Sequence, residues 1–174
     1  MAGLGAINDV IVRAETATDH SMIRQVNEAA FGGADEADLV EALRMESAVL
    51  LSIVAESDGR IVGHILFSRM SIETPSGAIA AAALAPMAVS PPYQRHGIGG
   101  RLIRDGLEAL RGLGERIVIV VGHAAFYPRF GFSTEQARFL EHPFPPDVFM
   151  ALELSEGALD GIRGRVRYPQ PFGL

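Results

Sequence analysis

One stretch of this sequence, residues 79–113, limits the fold of the chain more than any other. An apolar run over residues 79–89 is followed by a turn and then by an amphipathic helix that ends near residue 113. Glycine stands at positions 97, 99 and 100, where the helix begins. Glycine lets backbone N–H groups approach an anion closely, and a helix N-terminus supplies unpaired donors and a positive dipole end. The pattern predicts a buried strand, a phosphate-binding glycine loop and a helix.

The local charge agrees with an anion site at this loop. The chain carries 15 basic residues, all arginine, against 21 acidic ones, and its formal net charge is −6. Residues 74–104 nevertheless contain no acidic residue and three arginines, Arg95, Arg101 and Arg104, with His96 beside the first. Two other interpretations of the glycines stay open. One is a helix-entry turn without a ligand, and the other is a dinucleotide-binding fingerprint, which would require glycine in place of Leu102.

The composition excludes several kinds of chemistry. The chain has no cysteine, so it cannot form a thiolate nucleophile, a disulfide framework or a cysteine-bearing zinc site. It also has no lysine, which excludes a Schiff base and the lysine-containing phosphate loop. The negative net charge argues against nucleic acid as a partner. The five histidines are scattered without close ligand spacing, so we expect no metal site.

Alternating strand and helix patterns predict an α/β fold with a mixed sheet covered by helices. Strands are predicted at residues 7–14, 49–55, 61–68, 79–89, 116–121 and 149–154, and helices at residues 18–30, 35–45 and 98–113. Asp58-Gly59 lies between two apolar runs and predicts a hairpin turn. The buried stripe of the third helix is predicted to comprise Ile98, Leu102, Ile103, Leu107, Leu110 and Leu113. On the solvent-exposed side of this helix, the i,i+4 spacing predicts the ion pairs Arg101–Asp105 and Arg104–Glu108.

The sequence argues against a signal peptide and a membrane-spanning segment. Residues 1–11 lack the basic start of a signal peptide, so we expect no such leader. Residues 74–94 form an uncharged run of 21 residues that is long enough to cross a bilayer, but four prolines interrupt it. We expect a buried strand and a loop there, and a cytoplasmic protein without a membrane partner.

Two sequence blocks together resemble the GCN5-related N-acetyltransferase (GNAT) family. The first block is Met87-Ala88-Val89, four further residues, and then Gln94-Arg95-His96-Gly97-Ile98-Gly99. The second is Phe126-Tyr127-Pro128-Arg129-Phe130-Gly131-Phe132, which is similar to the Tyr-x-x-x-Gly-Phe segment of the family. The likeness covers residues 9–133 and is strongest over residues 84–132. Residues 135–174 look like the tail of a bacterial subgroup of predicted N-acetyltransferases.

The resemblance implies an α/β fold with a mixed, mostly antiparallel central sheet flanked by helices. Strands 4 and 5 of that sheet are expected to be parallel and to splay apart, here residues 79–89 and 116–121. It implies one acetyltransferase domain over residues 1–174, with a core at about residues 7–134 and a C-terminal extension at residues 135–174.

The same resemblance implies acetyl-CoA as the cosubstrate and transfer of its acetyl group to a primary amine. Without cysteine, we expect direct attack in a ternary complex rather than an acetyl-cysteine intermediate. The Met87 N–H is the expected oxyanion donor, and Tyr127 the expected acid that protonates the departing thiolate. The expected cofactor-binding residues are Met87, Ala88, Val89, Gln94, Arg95, His96, Gly97, Ile98, Gly99, Gly100, His123 and Tyr127.

The general base is the point at which this sequence departs from the family pattern. Some members carry a glutamate four residues before the oxyanion residue, and here that position is Ala83. His64 is the first candidate, with Glu56 and His123 as alternatives, since histidine titrates in the range that deprotonating an amine requires. No base is needed if the amine binds already neutral.

A second hypothesis is a non-catalytic acyl-CoA-binding regulatory module that kept the cleft and lost the base. For the enzyme, the expected partner is a small-molecule amine or a peptide acceptor. The sequence leaves open whether the protein is a homodimer.

Overall fold

The computed structural model describes residues 9–174. The predicted strand over residues 7–14 is seen from Ile11 onward, and residues 7 and 8 lie outside the described part. The elements run in the order β1 (Ile11–Ala14), α1 (His20–Phe31), α2 (Asp35–Met45), β2 (Val49–Ser57), β3 (Arg60–Thr74), β4 (Gly77–Val89), α3 (Ile98–Gly112), β5 (Ile117–Val121), β6 (Leu140–Glu141), β7 (Phe149–Glu153) and β8 (Gly164–Arg167).

The strands of this part of the chain form one mixed sheet of eight strands. The main path has the order β1-β2-β3-β4-β5-β7, and β8 pairs with the far end of β3 and with β6. Every neighbouring pair is antiparallel except β4–β5 and β6–β8, which are parallel. Helix α3 packs on one face, whereas α1 and α2 pack on the other. The predicted fold, mixed and mostly antiparallel with a parallel β4–β5 pair, is confirmed.

Two hairpins connect β2, β3 and β4, of which the sequence predicted the first. Asp58 and Gly59 form its turn with φ angles of 49° and 72°, as expected of a tight hairpin. The second turn, at residues 75–76, is closed by the Thr74 hydroxyl, which donates to the Gly77 carbonyl at 2.7 Å. It was missed because β3 was predicted to stop at residue 68. The tail strand β8 pairs with Ser71–Glu73 and thereby extends β3.

Strands β4 and β5 are paired in the sheet over three residue pairs only. Ala82–Leu84 pair with Val118–Val120, and β4 then continues to Val89 without β5 beside it. Pro86 lies at the point of separation and has no N–H to donate to a neighbouring strand. Past Leu84 the two parallel strands therefore leave a gap, as the resemblance implied.

Glycine lets α3 approach the sheet closely. An ideal Cβ on Gly106 would lie 2.5 Å from Phe67 Cε2, and one on Gly63 would lie 3.0 Å from Leu102 Cδ1. The predicted stripe of α3 is buried from Ile98 to Leu110, but Leu113 is 59% exposed. The helix ends at Gly112, so Leu113 no longer follows the helical stripe.

Residues 135–174 pack on the sheet face that α1 and α2 leave uncovered. Phe149 and Val166 share a buried cluster there with Ala81 and Ala83 of β4. The His142 ring stacks on Phe149 with 3.7 Å between the ring centroids. The small alanines of β4 thus leave room for aromatic rings from the tail, which explains a strand whose composition alone was ambiguous.

The uncharged run at residues 74–94 is the end of β3, the strand β4 and the loop after it, so the prediction of strand plus loop is confirmed. Within residues 9–174, no helix has both the length and the apolar character that crossing a membrane requires.

We expect Gly106→Ala to destabilise the fold. The new methyl group would overlap the buried Phe67 ring, and overpacking of this kind lowers the free energy of unfolding by about 1–3 kcal/mol. Gly112→Ala is the matched control, since a Cβ at Gly112 meets nothing within 4 Å. Alanine is about 1 kcal/mol more favourable than glycine in a helix, so the control should be neutral or stabilising. Urea denaturation of both variants measures this, and equal stabilities would contradict the close packing.

Candidate active site

A cleft of about 650 Å³ lies where three parts of the fold meet. These parts are the end of β4, the loop that leads into α3, and the aromatic segment that follows β5. The last turn of α1 borders the same cleft through Ala30 and Phe31. Its other lining residues are Met87, Ala88, Val89, Tyr93, Gln94, Arg95, Gly97, Ile98, Gly99, Gly100, Arg104, Phe126, Arg129 and Phe130. The two sequence blocks that carried the resemblance are thereby brought together.

The free edge of β4 presents backbone amides to this cleft. The Ser90 N–H donates to the Val62 carbonyl at 2.8 Å, so Ser90 is a position that bonds to β3. In an antiparallel pair, alternate residues turn both backbone groups toward the partner, and the residues between them turn away. Met87 and Val89 are positions of the second kind. Accordingly, the Gln94 side-chain amide donates to the Val89 carbonyl at 2.9 Å, on the side away from β3.

The glycine loop supplies a second set of donors. Gly97 caps α3 with a φ of 81°, and Arg95 also has a positive φ of 63°. The first amide that bonds back within the helix is that of Arg101, which donates to the Gly97 carbonyl at 3.1 Å. The three preceding N–H groups, of residues 98–100, therefore have no intrahelical acceptor. They lie at the positive end of the helix dipole, where an anion is stabilised.

The charged residues that line the cleft are all arginines, namely Arg95, Arg104 and Arg129. The predicted Arg101–Asp105 pair is present at 3.8 Å. The predicted Arg104–Glu108 pair is not formed, because Glu108 contacts Arg111 at 3.5 Å instead. The Arg104 guanidinium lies over the Phe130 ring, 5.2 Å from its centroid. The cleft is positively charged although the chain is acidic.

Tyr127 lies in the segment after β5 and packs on the core. Its neighbours Phe126 and Phe130 line the cleft, whereas Tyr127 is not among the lining residues. Its ring contacts Phe126 edge to face, with centroids 5.1 Å apart. An ideal Cβ on Gly122 would lie 2.3 Å from Tyr127 Cε2, so the glycine makes room for this ring. Burial raises the pKa of the Tyr127 hydroxyl above its usual value, which keeps this group protonated at neutral pH.

His64 lies on the opposite face of the sheet, under α1, and does not line the cleft. Its side chain is fully buried, and its ring nitrogens contact the Asn27 side-chain amide at 3.2 Å and the Ser52 hydroxyl at 2.8 Å. The Asn27 amide also donates to the Ile23 carbonyl at 3.0 Å, so the nitrogen that faces Nδ1 is a donor. His64 is therefore neutral, with its proton on Nε2. Burial, aided by the positive charge of Arg44, lowers the pKa of His64 to about 3.

Four other residues named in the sequence analysis are not among the residues that line the cleft: Glu56, Ala83, His96 and His123. The Glu56 carboxylate is ion-paired with Arg13 Nε at 2.8 Å, and Ala83 is buried against the tail. The His123 side chain is exposed just after β5. His96 is exposed on the loop, and its Nδ1 lies 3.2 Å from the Tyr93 carbonyl.

Sequence reasoning missed the part of the cleft wall that the aromatic segment and α1 provide. Phe126 and Phe130 were quoted only as part of a motif, and Arg129 was given no role. Ala30 is only the end of the predicted helix at residues 18–30, and Phe31 lies outside that prediction. The one available signal was the arginine inside an aromatic run, since arginine commonly stacks on aromatic rings.

The described residues, 9–174, contain no group of three or more His, Cys, Asp or Glu side chains that could hold a metal ion. Leu102, where a dinucleotide fingerprint would require glycine, is fully buried in the core. The fold and the site together are typical of α/β proteins that bind a phosphate-bearing ligand at a helix N-terminus and in the gap between two parallel strands.

Comparison with known proteins identifies the family. The model of the acetyltransferase (GNAT) domain matches residues 11–134, and the chain belongs to this family. It is 47% identical over 117 residues to the uncharacterized N-acetyltransferase YjhQ of Escherichia coli strain K12, a match that covers 66% of this chain and 65% of YjhQ. It is 30% identical over 166 residues to the uncharacterized N-acetyltransferase YhbS of the same strain, covering 94% of this chain and 98% of YhbS.

Two solved structures of the family are similar to this fold over nearly its whole length. The crystal structure of E. coli YhbS in complex with CoA superposes with a TM-score of 0.88 at 29% identity, covering 95% of this chain and 92% of that one. A GNAT family acetyltransferase from Brucella melitensis in complex with acetyl-CoA has a TM-score of 0.79 at 37% identity, covering 94% and 97%.

We expect His64 to make the stability of the protein depend on pH. Below the unfolded pKa of about 6.5 the unfolded chain binds a proton at this histidine, whereas folded His64 stays neutral down to a pKa of about 3. The free energy of unfolding should therefore fall as the pH is lowered through this window, by up to about 1.4 kcal/mol per pH unit. His64→Gln, which keeps hydrogen-bonding groups but does not titrate, should remove this part of the slope. Urea denaturation at several pH values measures it, and identical slopes would show that folded His64 takes up the proton.

Proposed function

We propose that the protein is an acetyl-CoA-dependent N-acetyltransferase that transfers an acetyl group to a primary amine. One observation carries the proposal: a single cleft joins the free edge of β4, the unpaired amides at the start of α3 and three arginines. Backbone donors for an amide-bearing arm and positive charge for phosphates are what acetyl-CoA requires. The two similar structures with CoA and acetyl-CoA support this cosubstrate.

The proposed binding mode uses backbone groups for most contacts. The pantetheine arm adds to β4 like another strand, bonding to Met87 and Val89 on either side of Ala88. The pyrophosphate lies on the loop, whose proposed binding residues are Gln94, Arg95, His96, Gly97, Ile98, Gly99 and Gly100. In this binding mode, the exposed side chain of His123, which follows β5, lies near the thioester end of acetyl-CoA. This mode needs no lysine, which agrees with a chain that has none.

The proposed reaction is direct transfer. The amine nitrogen attacks the thioester carbon, and the Met87 N–H stabilises the oxyanion that develops on the carbonyl oxygen. The tetrahedral intermediate then collapses, the C–S bond breaks, and the Tyr127 hydroxyl gives its proton to the departing thiolate. The amine nitrogen, positively charged after the attack, gives its proton to solvent, and the Tyr127 phenolate takes a proton back from solvent. The products are the acetylated amine and free CoA.

The lining residues contain no Asp, Glu or His that would act as a base. With a pKa of about 3, buried His64 would accept a proton only weakly. We therefore propose that the amine loses its proton to solvent and attacks in its neutral form. The acceptor is a small-molecule amine or a peptide.

A non-catalytic acyl-CoA-binding module is the second candidate, favoured by the same absence of Asp, Glu and His from the cleft lining. Titration calorimetry with acetyl-CoA and release of free thiol with a panel of amines separate the two. Binding with amine-stimulated release supports the enzyme, whereas binding without release across a broad panel supports the module. No binding of acetyl-CoA would contradict both.

We expect Tyr127→Phe to lower kcat about 100-fold or more, since a positioned acid contributes roughly that factor. The KM for acetyl-CoA should change little, because Phe fills the same space against Gly122. Thiol release under steady-state conditions measures both constants. Tyr168→Phe is the matched control, since it removes the hydroxyl of a half-buried tyrosine outside the cleft lining and should leave kcat unchanged. An unchanged kcat in Tyr127→Phe would remove this residue from the mechanism.

Initial rates at varied acetyl-CoA and amine concentrations should give intersecting double-reciprocal lines. A ternary complex produces this pattern, and a chain without cysteine lacks the usual acetyl-carrying thiol. Parallel lines together with an acetylated protein in the mass spectrum would contradict direct transfer.

A further inference from the structure

Two of the three cleft arginines lie over aromatic rings and, in the described part of the chain, lack an acidic partner. Within residues 9–174, Arg104 and Arg129 have no carboxylate within ion-pairing distance, and the acidic residues of α3 that flank Arg104 are engaged elsewhere. Asp105 faces Arg101 at 3.8 Å, and Glu108 faces Arg111 at 3.5 Å. Two positive charges without a protein counter-charge in one cleft favour an anionic ligand.

An aromatic pair holds both guanidinium groups in place. Arg104 lies 5.2 Å from the Phe130 centroid and Arg129 lies 5.4 Å from the Phe126 centroid. The two rings contact each other edge to face, with centroids 5.3 Å apart. A guanidinium that stacks on a ring keeps its N–H groups free, because they point outward in its own plane. The pair of arginines is therefore oriented for a ligand without using any of its donors.

Arg104 borders the amides that the proposed function assigns to the pyrophosphate. Arg104 follows Gly100 by one helical turn, which is about 5.4 Å along α3. An ideal Cβ on Gly100 would lie 3.4 Å from both Phe130 Cζ and Arg104 Nη1. The Arg104 guanidinium therefore reaches back to the loop, and Arg129 lines the same cleft. Because the proposed binding mode assigns the loop amides to the pyrophosphate, these two guanidinium groups are left for the other phosphate of CoA, the ribose 3′-phosphate.

We propose that Arg104 and Arg129 bind the ribose 3′-phosphate of the cosubstrate and make the protein select CoA esters over their 3′-dephospho forms. This inference rests on the proposed function, since it assumes that acetyl-CoA occupies the cleft. A phosphate monoester carries two negative charges near neutral pH and accepts planar, paired hydrogen bonds from guanidinium groups. The pyrophosphate, in contrast, is held by the loop amides.

Titration calorimetry with acetyl-CoA and acetyl-3′-dephospho-CoA tests the inference. The wild type should bind acetyl-CoA about 10- to 100-fold more tightly than the dephospho form, as expected for charge-assisted hydrogen bonds. Arg104→Met and Arg129→Met should each weaken acetyl-CoA binding about 10-fold and change dephospho-CoA binding less than about threefold. The double variant should lose the preference. Methionine keeps apolar contact with the ring beneath it, so the cleft stays packed.

Arg111→Met is the matched control, since it removes the same charge from the last turn of α3, outside the cleft, and should leave both affinities unchanged. Equal affinity of the wild type for the two ligands would overturn the inference and leave the proposed function standing. So would an equal loss of both affinities in the arginine variants, because that would place these residues on the pyrophosphate. Binding of neither ligand by the wild type would overturn the proposed function and this inference together.

Discussion

The separation of β4 from β5 past Leu84 is the constraint on which the rest of the site depends. A strand edge inside a folded domain carries backbone groups that are costly to leave unpaired. Here the edge at Met87 and Val89 opens into the cleft, so a ligand that carries amides can take the place of the missing strand. The Gln94 side chain, which bonds to the Val89 carbonyl, ties the start of the loop to that edge. The gap between the strands is therefore the structural basis of the proposed binding mode.

The position of α3 is the second requirement, because the free amides of its first turn are useful only if they lie beside that edge. Close packing fixes this position: Phe67 occupies the space that a side chain at Gly106 would need, and Leu102 lies against Gly63. The loop glycines then allow Met87 and Phe130 to approach the helix start. The proposed phosphate site thus depends on core packing as much as on the loop sequence.

The third requirement is the positive charge of the cleft, which the negative net charge of the chain did not predict. The chain is acidic, yet the cleft presents only arginines among its charged residues. The acidic residues near them are neutralised by other arginines, and aromatic rings hold Arg104 and Arg129 without consuming their donors. Conversely, His64, the first candidate for a base in the sequence, is buried on the other face of the sheet, where burial lowers its pKa and keeps it neutral. The proposed reaction therefore depends on backbone donors, arginines and the Tyr127 hydroxyl more than on a titrating pair.

The sequence by itself determined the order of the elements from β1 to β5, the hairpin at Asp58-Gly59 and the glycine loop, because these depend on local backbone preferences and on hydrophobic periodicity. It did not predict the short tail strands β6 and β8. The resemblance carried by two short motifs added the family and the splayed strands. Only the tertiary structure decided which side chains share the cleft. It turned Arg104 away from Glu108 and onto Phe130, brought the end of α1 to the cleft and buried His64. Such pairings depend on sheet register and on which face a residue occupies, and a periodic pattern does not specify which distant segment covers that face.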